Sequence, residues 1–277
     1  MVIANMKENV LHFGEIKPFE FKISYVNIDR DSPLNEHDSH SHEGCEIYIN
    51  LSGDVSFAVE NRIYPIKPGD IIITRPYEYH HCIYHSDKKH KHFWILFSSL
   101  GNEDMLDIFF DPKLGSPSHL TLSPGDTEKL VSLCHTMVEA PKDDKHRYYN
   151  FFKLITLLQN AEITETGERQ YPSDIISALN YIGSNFTQPI TVTAIAKSSN
   201  VSVNTLERHF MQIFGQTPTT YIRKKRLSNA AKLLTEGKTV TEASEESGFS
   251  DYSNFISLFR KAYGITPLQY KKQQRKL

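Results

Sequence analysis

The 277-residue chain has only three cysteines, Cys45, Cys82 and Cys134. This low, odd count excludes a disulfide framework and suits a reducing compartment, so we expect the protein in the cytoplasm. No apolar run reaches the roughly 18 residues of a membrane-spanning helix, and the first residues lack the apolar core of a secretory signal. The sequence also lacks a Ser/His/Asp catalytic pattern, a P-loop and a Gly-rich nucleotide fingerprint. We therefore expect neither a membrane protein nor an enzyme.

The C-terminal third of the chain repeats itself at a fixed offset of 49 residues. The repeated positions are Leu206, Phe210, Phe214, Gly215, Thr217-Pro218 and Tyr221, which recur as Phe255, Phe259, Tyr263, Gly264, Thr266-Pro267 and Tyr270. The first three positions of each copy are spaced i, i+4, i+8 and form one apolar helix stripe. The glycine suits a left-handed helix end, and Thr-Pro suits the start of the next helix.

A shorter apolar helix is predicted before each copy, over 192–198 and 240–247. A short helix, a turn and a longer helix form the helix-turn-helix motif, in which the second helix enters the major groove of DNA. The hydrogen-bonding side chains on its first turns are then candidates for reading base edges. They are Ser202, Asn204, Thr205, Glu207 and Arg208 in the first copy, and Tyr252, Ser253, Asn254 and Ser257 in the second.

Charge is distributed unevenly along the chain. Residues 173–277 contain 14 Lys and Arg against 7 Asp and Glu, a net charge of +7, so the net −2 of the whole chain hides an acidic N-terminal part. Such asymmetry is typical of a nucleic-acid-binding module. We consider Arg223 and Lys224 of the basic run 223–226, together with Arg260 and Lys261, as phosphate contacts. A solvated face of an ordinary helical bundle is the alternative.

Several stretches of the C-terminal third match one family in both residues and spacing. They are Ser202-x3-Leu206-x-Arg208-x-Phe210, Gly215-x-Thr217-Pro218-x2-Tyr221, Gly248-Phe249-Ser250-Asp251-x3-Phe255 and Gly264-Ile265-Thr266-Pro267-x2-Tyr270. Residues 173–277 thus resemble the DNA-binding domain of the AraC/XylS family of bacterial transcription regulators. The resemblance implies seven helices, with the helix around 221–234 joining two helix-turn-helix halves. The family often has a basic residue where Ser257 stands, so we expect more direct base readout from the first half, through Arg208.

The N-terminal half shows short runs of β type between turns over residues 19–100. His40-x-His42-x3-Glu46-x6-Gly53 resembles the first motif of cupin barrels, and Pro68-Gly69-Asp70, Pro76 and His80-His81 resemble the second. We therefore predict an α+β protein of two domains. A cupin-like jelly-roll β-barrel with flanking helices (125–140 and 143–162) occupies 1–162, a linker 163–172, and an all-α seven-helix domain 173–277. In the resembled family such flanking helices form a dimer interface.

The barrel is predicted to bind a small-molecule effector. The candidate pocket residues are His40, His42, Glu46, His80 and His81. Two histidines at i, i+2 project from the same face of a strand, and with a carboxylate and a third histidine they could bind a divalent metal. Sensors of the resembled family mostly use the barrel as a pocket for a small ligand, so we favour an effector, with a sugar as the family-level expectation. No cofactor or metal is assigned.

The sequence therefore predicts a ligand-responsive transcription regulator of carbohydrate-related genes. Its predicted partners are double-stranded DNA, the effector, a second copy of the chain in a homodimer, and RNA polymerase if it is an activator. Two alternatives remain. One is a metal-dependent cupin enzyme fused to a DNA-binding domain. The other is a ligand-free regulator whose barrel only mediates dimerisation.

Overall fold

A computed structural model of the chain describes residues 21–28, 40–86, 89–98, 107–110, 118–141, 145–164 and 171–274. The N-terminal half contains nine described strands and three helices. They are β1 (Phe21–Ile28), β2 (Cys45–Ser52), β3 (Val55–Val59), β4 (Arg62–Ile66), β5 (Ile71–Thr74), β6 (His80–Tyr84), β7 (His90–Phe97), α1 (Asp107–Phe110), β8 (His119–Thr121), α2 (Pro124–Glu139), α3 (His146–Leu158) and β9 (Glu162–Ile163). They form a six-stranded sheet in the order β1-β7-β2-β5-β8-β9 and a three-stranded sheet in the order β4-β3-β6. The predicted jelly roll is thus present as two facing sheets that do not close into a barrel within the described ranges.

Side chains of the large sheet alternate between two surroundings, as the pleat of a strand requires. On β2, Ile47 and Ile49 belong to a core shared with α2 and α3, whereas Tyr48 packs with Phe57 of the small sheet. Helices α2 and α3 therefore cover the outer face of the large sheet. The predicted helix over 143–162 is too long at its C-terminal end, because Glu162 instead pairs with Thr121 as part of β9. Residue 143 lies outside the described residues.

The C-terminal part consists of seven helices between residues 171 and 274, as predicted. They are α4 (Ser173–Asn185), α5 (Val192–Ser198), α6 (Val203–Phe214), α7 (Pro218–Thr235), α8 (Val240–Glu246), α9 (Tyr252–Tyr263) and α10 (Pro267–Gln274). The 49-residue repeat corresponds to α5-α6 and α8-α9, joined by α7. Gly215 and Gly264 end α6 and α9 with φ of 62° and 76°, the left-handed conformation expected of helix-terminal glycines.

The two halves pack against each other through the outer face of the small sheet. Ala58 and Ile83 share a buried cluster with residues of α4, α5 and α6, and the Tyr79 and Tyr221 rings meet edge to face at 5.0 Å. In the β3–β4 turn, the carbonyl of Glu60 accepts a hydrogen bond of 2.6 Å from the Tyr221 hydroxyl. The predicted domain limits of 162, 163–172 and 173 remain a prediction. Every helix in the described ranges is too short or too polar to cross a membrane.

Candidate DNA-binding and effector sites

Helix α6 carries the first set of candidate DNA-binding residues. The Ser202 hydroxyl accepts a hydrogen bond of 3.1 Å from the Thr205 amide and caps the helix, while the stripe of Leu206, Phe210 and Phe214 is buried. This burial turns the opposite face outward, so that Asn204, Glu207 and Arg208 are exposed. The Ser202 and Thr205 hydroxyls lie 2.9 Å apart and bond each other, so these two side chains already have a role in the helix cap.

Helix α9 repeats the arrangement. The Asp251 carboxylate caps it by accepting from the Asn254 amide at 2.9 Å, and both Phe255 and Phe259 are fully buried. The predicted polar residues of this helix are all exposed: Tyr252, Ser253, Asn254, Ser257, Arg260 and Lys261. Both repeat units therefore present the first turns of an amphipathic helix to solvent, with hydrogen-bonding groups on the exposed face.

The basic run on α7 is divided between the surface and the interior. Arg223 is exposed and Lys224 half-buried, but Lys225 is buried and forms an ion pair with Glu60. The Arg226 guanidinium donates to the Phe186 carbonyl at 2.6 Å and to the Gln188 carbonyl at 2.8 Å, just after α4. Lys225 and Arg226 therefore make contacts within the protein.

A cavity of about 400 Å³ lies between the two halves of the protein. Its lining includes three of the predicted phosphate contacts, Arg223, Lys224 and Lys261, together with His40 and Tyr79. These cations are therefore placed beside the N-terminal half as well as near the helix-turn-helix units. Their contacts with phosphate remain a prediction.

A second cavity, of about 260 Å³, lies in the N-terminal half between the two sheets. All five predicted pocket residues line it: His40, His42, Glu46, His80 and His81. The structure adds a set of aromatic and polar residues that the motif did not include: Tyr48, Phe57, Tyr84, His92 and Trp94. The alternation of β2 and β7 could have revealed part of this set, because Tyr48 follows Glu46 by two residues and Trp94 follows His92 by two.

The imidazoles of His42 and His80 point at the Glu46 carboxylate. The Nε2 atom of His42 lies 3.1 Å from Glu46 Oε2, and that of His80 lies 3.8 Å from the same oxygen. Burial raises the pKa of the Glu46 carboxyl, but interactions with His42 and His80 outweigh it and hold the pKa well below its usual value. Burial lowers the pKa of His80, but the Glu46 carboxylate more than compensates and the net pKa is raised.

His81 differs from the other predicted pocket residues. It borders the cavity, but its ring packs against Phe214 of α6 with centroids 5.4 Å apart, and burial lowers its pKa to about 3. Adjacent residues of a strand face opposite sides, so His80 and His81 cannot both point into the cavity. The sequence motif placed them together because it does not distinguish the two faces.

Two family models match the chain. Residues 24–123 match the AraC-like ligand binding domain, and residues 195–273 match a helix-turn-helix domain. The chain is 24% identical to the HTH-type transcriptional activator RhaS of Escherichia coli over 87% of its own length and 90% of that protein. It is 37% identical to the HTH-type transcriptional regulator YdeC of Bacillus subtilis over 34% of its length and 33% of that protein. Among solved structures, ToxT of Vibrio cholerae aligns over 93% of this chain and 99% of its own, with 15% identity and a TM-score of 0.39.

Proposed function

Because the chain belongs to the AraC/XylS family of transcriptional regulators, we propose that it recognises an operator through α6 and α9. We further propose that a small molecule in the N-terminal cavity changes this recognition. The DNA part rests mainly on one observation: two capped amphipathic helices, 49 residues apart, expose hydrogen-bonding side chains on equivalent first turns. The relatives found are transcription regulators, which favours this function over an enzyme.

The two recognition helices would occupy adjacent major-groove segments, about 34 Å or one helical turn apart. Lysine and arginine contacts to phosphate would supply much of the affinity and its dependence on salt. The residues proposed to meet DNA are those predicted from the sequence and exposed here. Arg208 is the main candidate for base readout, because a guanidinium can bond the O6 and N7 atoms of guanine together.

The two helix-turn-helix units would contribute unequally to specificity. Arg208 of α6 is exposed, and the equivalent position of α9 carries the short, uncharged Ser257. Serine can bond several bases and discriminates weakly between them. We therefore propose that α6 supplies more direct base readout, while α9 acts more through Arg260 and Lys261 on phosphate.

Arg208→Ala tests this assignment, with Ser257→Ala as the matched change in the other helix-turn-helix unit. Affinity would be measured against the operator and against each single base-pair variant of it. We expect Arg208→Ala to lose about 1–3 kcal/mol of binding free energy and to relax the preference at one base position. A loss that is equal on all sequences would make Arg208 a phosphate contact. A larger loss of discrimination in Ser257→Ala would reverse the proposed asymmetry.

The effector part of the proposal rests on the cavity between the sheets. Its lining of aromatic rings, imidazoles and a carboxylate suits a sugar or sugar derivative, whose hydroxyls need bonding partners and whose ring faces pack on aromatic groups. Operator affinity would be measured with and without a panel of sugars. A true effector must change DNA affinity, and DNA must change effector affinity by the same factor. If no compound changes operator affinity, the effector part of the proposal fails and a regulator without an effector remains.

Assembly belongs to the same proposal. Tyr148 and Tyr149 are exposed on α3, on the helix pair that covers the large sheet. Aromatic residues are enriched at protein interfaces, so we propose that this helix pair mediates a homodimer. RNA polymerase would be a further partner if the protein activates transcription, as the name of the relative RhaS says that protein does.

A further inference from the structure

The β5–β6 loop (residues 75–79) of the N-terminal half contacts both helix-turn-helix units. Its two tyrosines, Tyr77 and Tyr79, pack against different hydrophobic cores of the DNA-binding half. We propose that this loop positions the two units relative to each other, and that the Tyr77 ring thereby sets the half-site spacing that the protein accepts in an operator. The positioning step needs no assumption about DNA, whereas the effect on spacing rests on the proposed function.

Tyr79 is anchored in the first helix-turn-helix unit. It is buried in a cluster that includes Phe210 and Phe214 of α6 and Tyr221 near the start of α7. Its ring meets that of Tyr221 edge to face at 5.0 Å, and its hydroxyl accepts a hydrogen bond of 3.2 Å from the Gln216 side chain. A side chain of the N-terminal half therefore completes the core of the first unit.

Tyr77 contacts the second helix-turn-helix unit. It packs against the core that contains Phe255, Phe259 and Tyr270, and its carbonyl accepts a hydrogen bond of 2.6 Å from the hydroxyl of buried Ser228 on α7. Its backbone has a φ of 66°, a left-handed conformation that a bulky residue keeps only where its surroundings impose it. The contacts with the second unit therefore help to hold Tyr77 in a conformation that it would otherwise rarely adopt.

One face of α7 lies along the N-terminal half between these two contacts. Tyr221, Lys225 and Ser228 are spaced i, i+4, i+7 and so project from one side of the helix. The first two contact Glu60 in the β3–β4 turn, and Ser228 bonds Tyr77. At the helical rise of about 1.5 Å per residue, this face spans roughly 10 Å. Because α7 joins the two units, contacts at both ends of this face resist a change in the distance between them.

The β5–β6 loop is itself fixed to the N-terminal half. The amide of Tyr77 donates to the His42 carbonyl at 2.8 Å, and the amide of Tyr79 donates to the Glu60 carboxylate at 2.7 Å. The two tyrosines are therefore held at a fixed separation, and each contacts a different helix-turn-helix unit. A loop held in this way can keep two separate cores in one relative position.

Relative position matters because each unit must meet its own segment of the major groove. One base pair added between two half-sites moves one of them by about 3.4 Å and rotates it by roughly 35° about the DNA axis. Two units that are held rigidly cannot follow this displacement, whereas loosely held units can. The loop would therefore make the protein selective for one spacing.

Positioning is tested without DNA, by pulsed electron paramagnetic resonance on the full-length protein. Spin labels are attached at Met211→Cys on α6 and Leu268→Cys on α10, which are 49% and 53% exposed, whereas the native cysteines are buried. Dilution with unlabelled protein removes distances between copies of the chain. We expect a narrow distance distribution in the labelled parent and in Tyr77→Phe, and a broader one in Tyr77→Ala.

The broadening should be partial, because α7 and the close approach of Gly248 to the Thr187 carbonyl still connect the two units. Tyr25→Ala removes a tyrosine ring from β1, away from α7, and is the matched control that should keep the narrow distribution. Circular dichroism checks that each variant is folded. An unchanged distribution in folded Tyr77→Ala would overturn the proposal.

The effect on spacing is tested with three operators, whose half-sites have the natural spacing or are one base pair closer or farther apart. For the wild type and Tyr77→Phe we expect the altered operators to bind about tenfold more weakly or worse, comparable to the loss of one bidentate base contact. In Tyr77→Ala this penalty should largely disappear, with base preferences inside each half-site unchanged. A variant that is only less stable would instead bind all three operators more weakly and keep the penalty.

A full spacing penalty in Tyr77→Ala would overturn the effect on specificity, even with a broadened distance distribution. A wild type that binds no operator would contradict the proposed function. The positioning role, measured without DNA, would then still stand if Tyr77→Ala broadens the distribution.

Discussion

Replacing Glu60 by glutamine should weaken the contact between the two halves of the protein. The Lys225 side chain is 7% exposed and pairs with the Glu60 carboxylate, whose side chain is 33% exposed. The variant leaves a buried ammonium without a counter-charge, a change that costs about 3–5 kcal/mol in a fully buried pair. Because Glu60 is partly exposed, water can reach the site, and we expect a smaller loss of about 1–3 kcal/mol in the free energy of unfolding.

A double-mutant cycle with Lys225→Met isolates this interaction. Urea unfolding of the wild type, both single variants and the double variant gives the four free energies. Glu60→Gln should cost much less when residue 225 is already methionine, with a coupling energy of about 1–2 kcal/mol. The Tyr221 hydroxyl still has the Glu60 backbone carbonyl to bond, so this contact is common to all four proteins. If the losses of the two single variants simply add up in the double variant, the interaction between Glu60 and Lys225 is refuted.

The same variant should respond to pH in a defined direction. Burial lowers the pKa of Lys225 to about 8, from an ordinary value of 10.5. Between these two pH values the unfolded chain binds more protons than the folded one, so the stability contributed by this group rises with pH. In Glu60→Gln no carboxylate opposes this lowering of the Lys225 pKa. The Phe186 ring, 5.1 Å from the Lys225 ammonium, remains as another neighbour. The stability deficit of the variant should therefore be largest at lower pH and shrink as the pH rises toward about 8, where Lys225 of the folded wild type also loses its proton. A constant deficit would mean that Lys225 is not a buried ammonium.

Two further predictions concern the C-terminal helices, and both are measured by urea unfolding. Gly248 has a φ of +85°, and an added Cβ would lie 2.6 Å from the Thr187 carbonyl oxygen, whereas Gly237 has a φ of +95° with open space around it. Gly248→Ala should therefore cost at least about 1 kcal/mol more than Gly237→Ala, and equal losses would contradict the close packing. Phe210→Ala removes a fully buried ring and should cost about 3–5 kcal/mol, whereas Met211→Ala, with 49% of the residue exposed, should change stability by less than about 0.5 kcal/mol. Similar losses from both would contradict the assignment of the buried face of α6.

The helical part of the fold could be predicted from the sequence because its signals are local. Apolar residues at i, i+4, i+8 identify the buried face of α6, and Gly215 and Thr217 identify where one helix ends and the next begins. Each of these signals acts over a few residues. The 49-residue repeat then predicted that α9 would have the same structure.

Contacts between the two halves could not be predicted in this way. Lys225 and Arg226 appeared equivalent to Arg223 and Lys224 in one basic run, but Lys225 is buried in an ion pair and the Arg226 guanidinium bonds backbone carbonyls. The partner of Lys225 is 165 residues away, and no local pattern identifies it. The surroundings of His81 could not be predicted for the same reason, because they depend on which domain covers the outer face of the small sheet.

The candidate cavity was predicted in part. The two motifs predicted His40, His42, Glu46, His80 and His81 as pocket residues, and the structure brings the metal-binding atoms of the first four together. The orientation of each imidazole depends on hydrogen bonds to the carbonyls of Gly44 and Glu78, and these follow from backbone geometry. The preference for an effector pocket without metal came from the family resemblance.

Guanine methylation protection on the bound operator tests the central claim most directly, because it reports which major-groove positions the protein covers. We expect two protected segments on one face of the DNA, about 10 base pairs apart, with stronger base discrimination in the segment that loses protection in Arg208→Ala. A single protected segment, or two segments with equally strong base discrimination, would contradict recognition by two unequal helices.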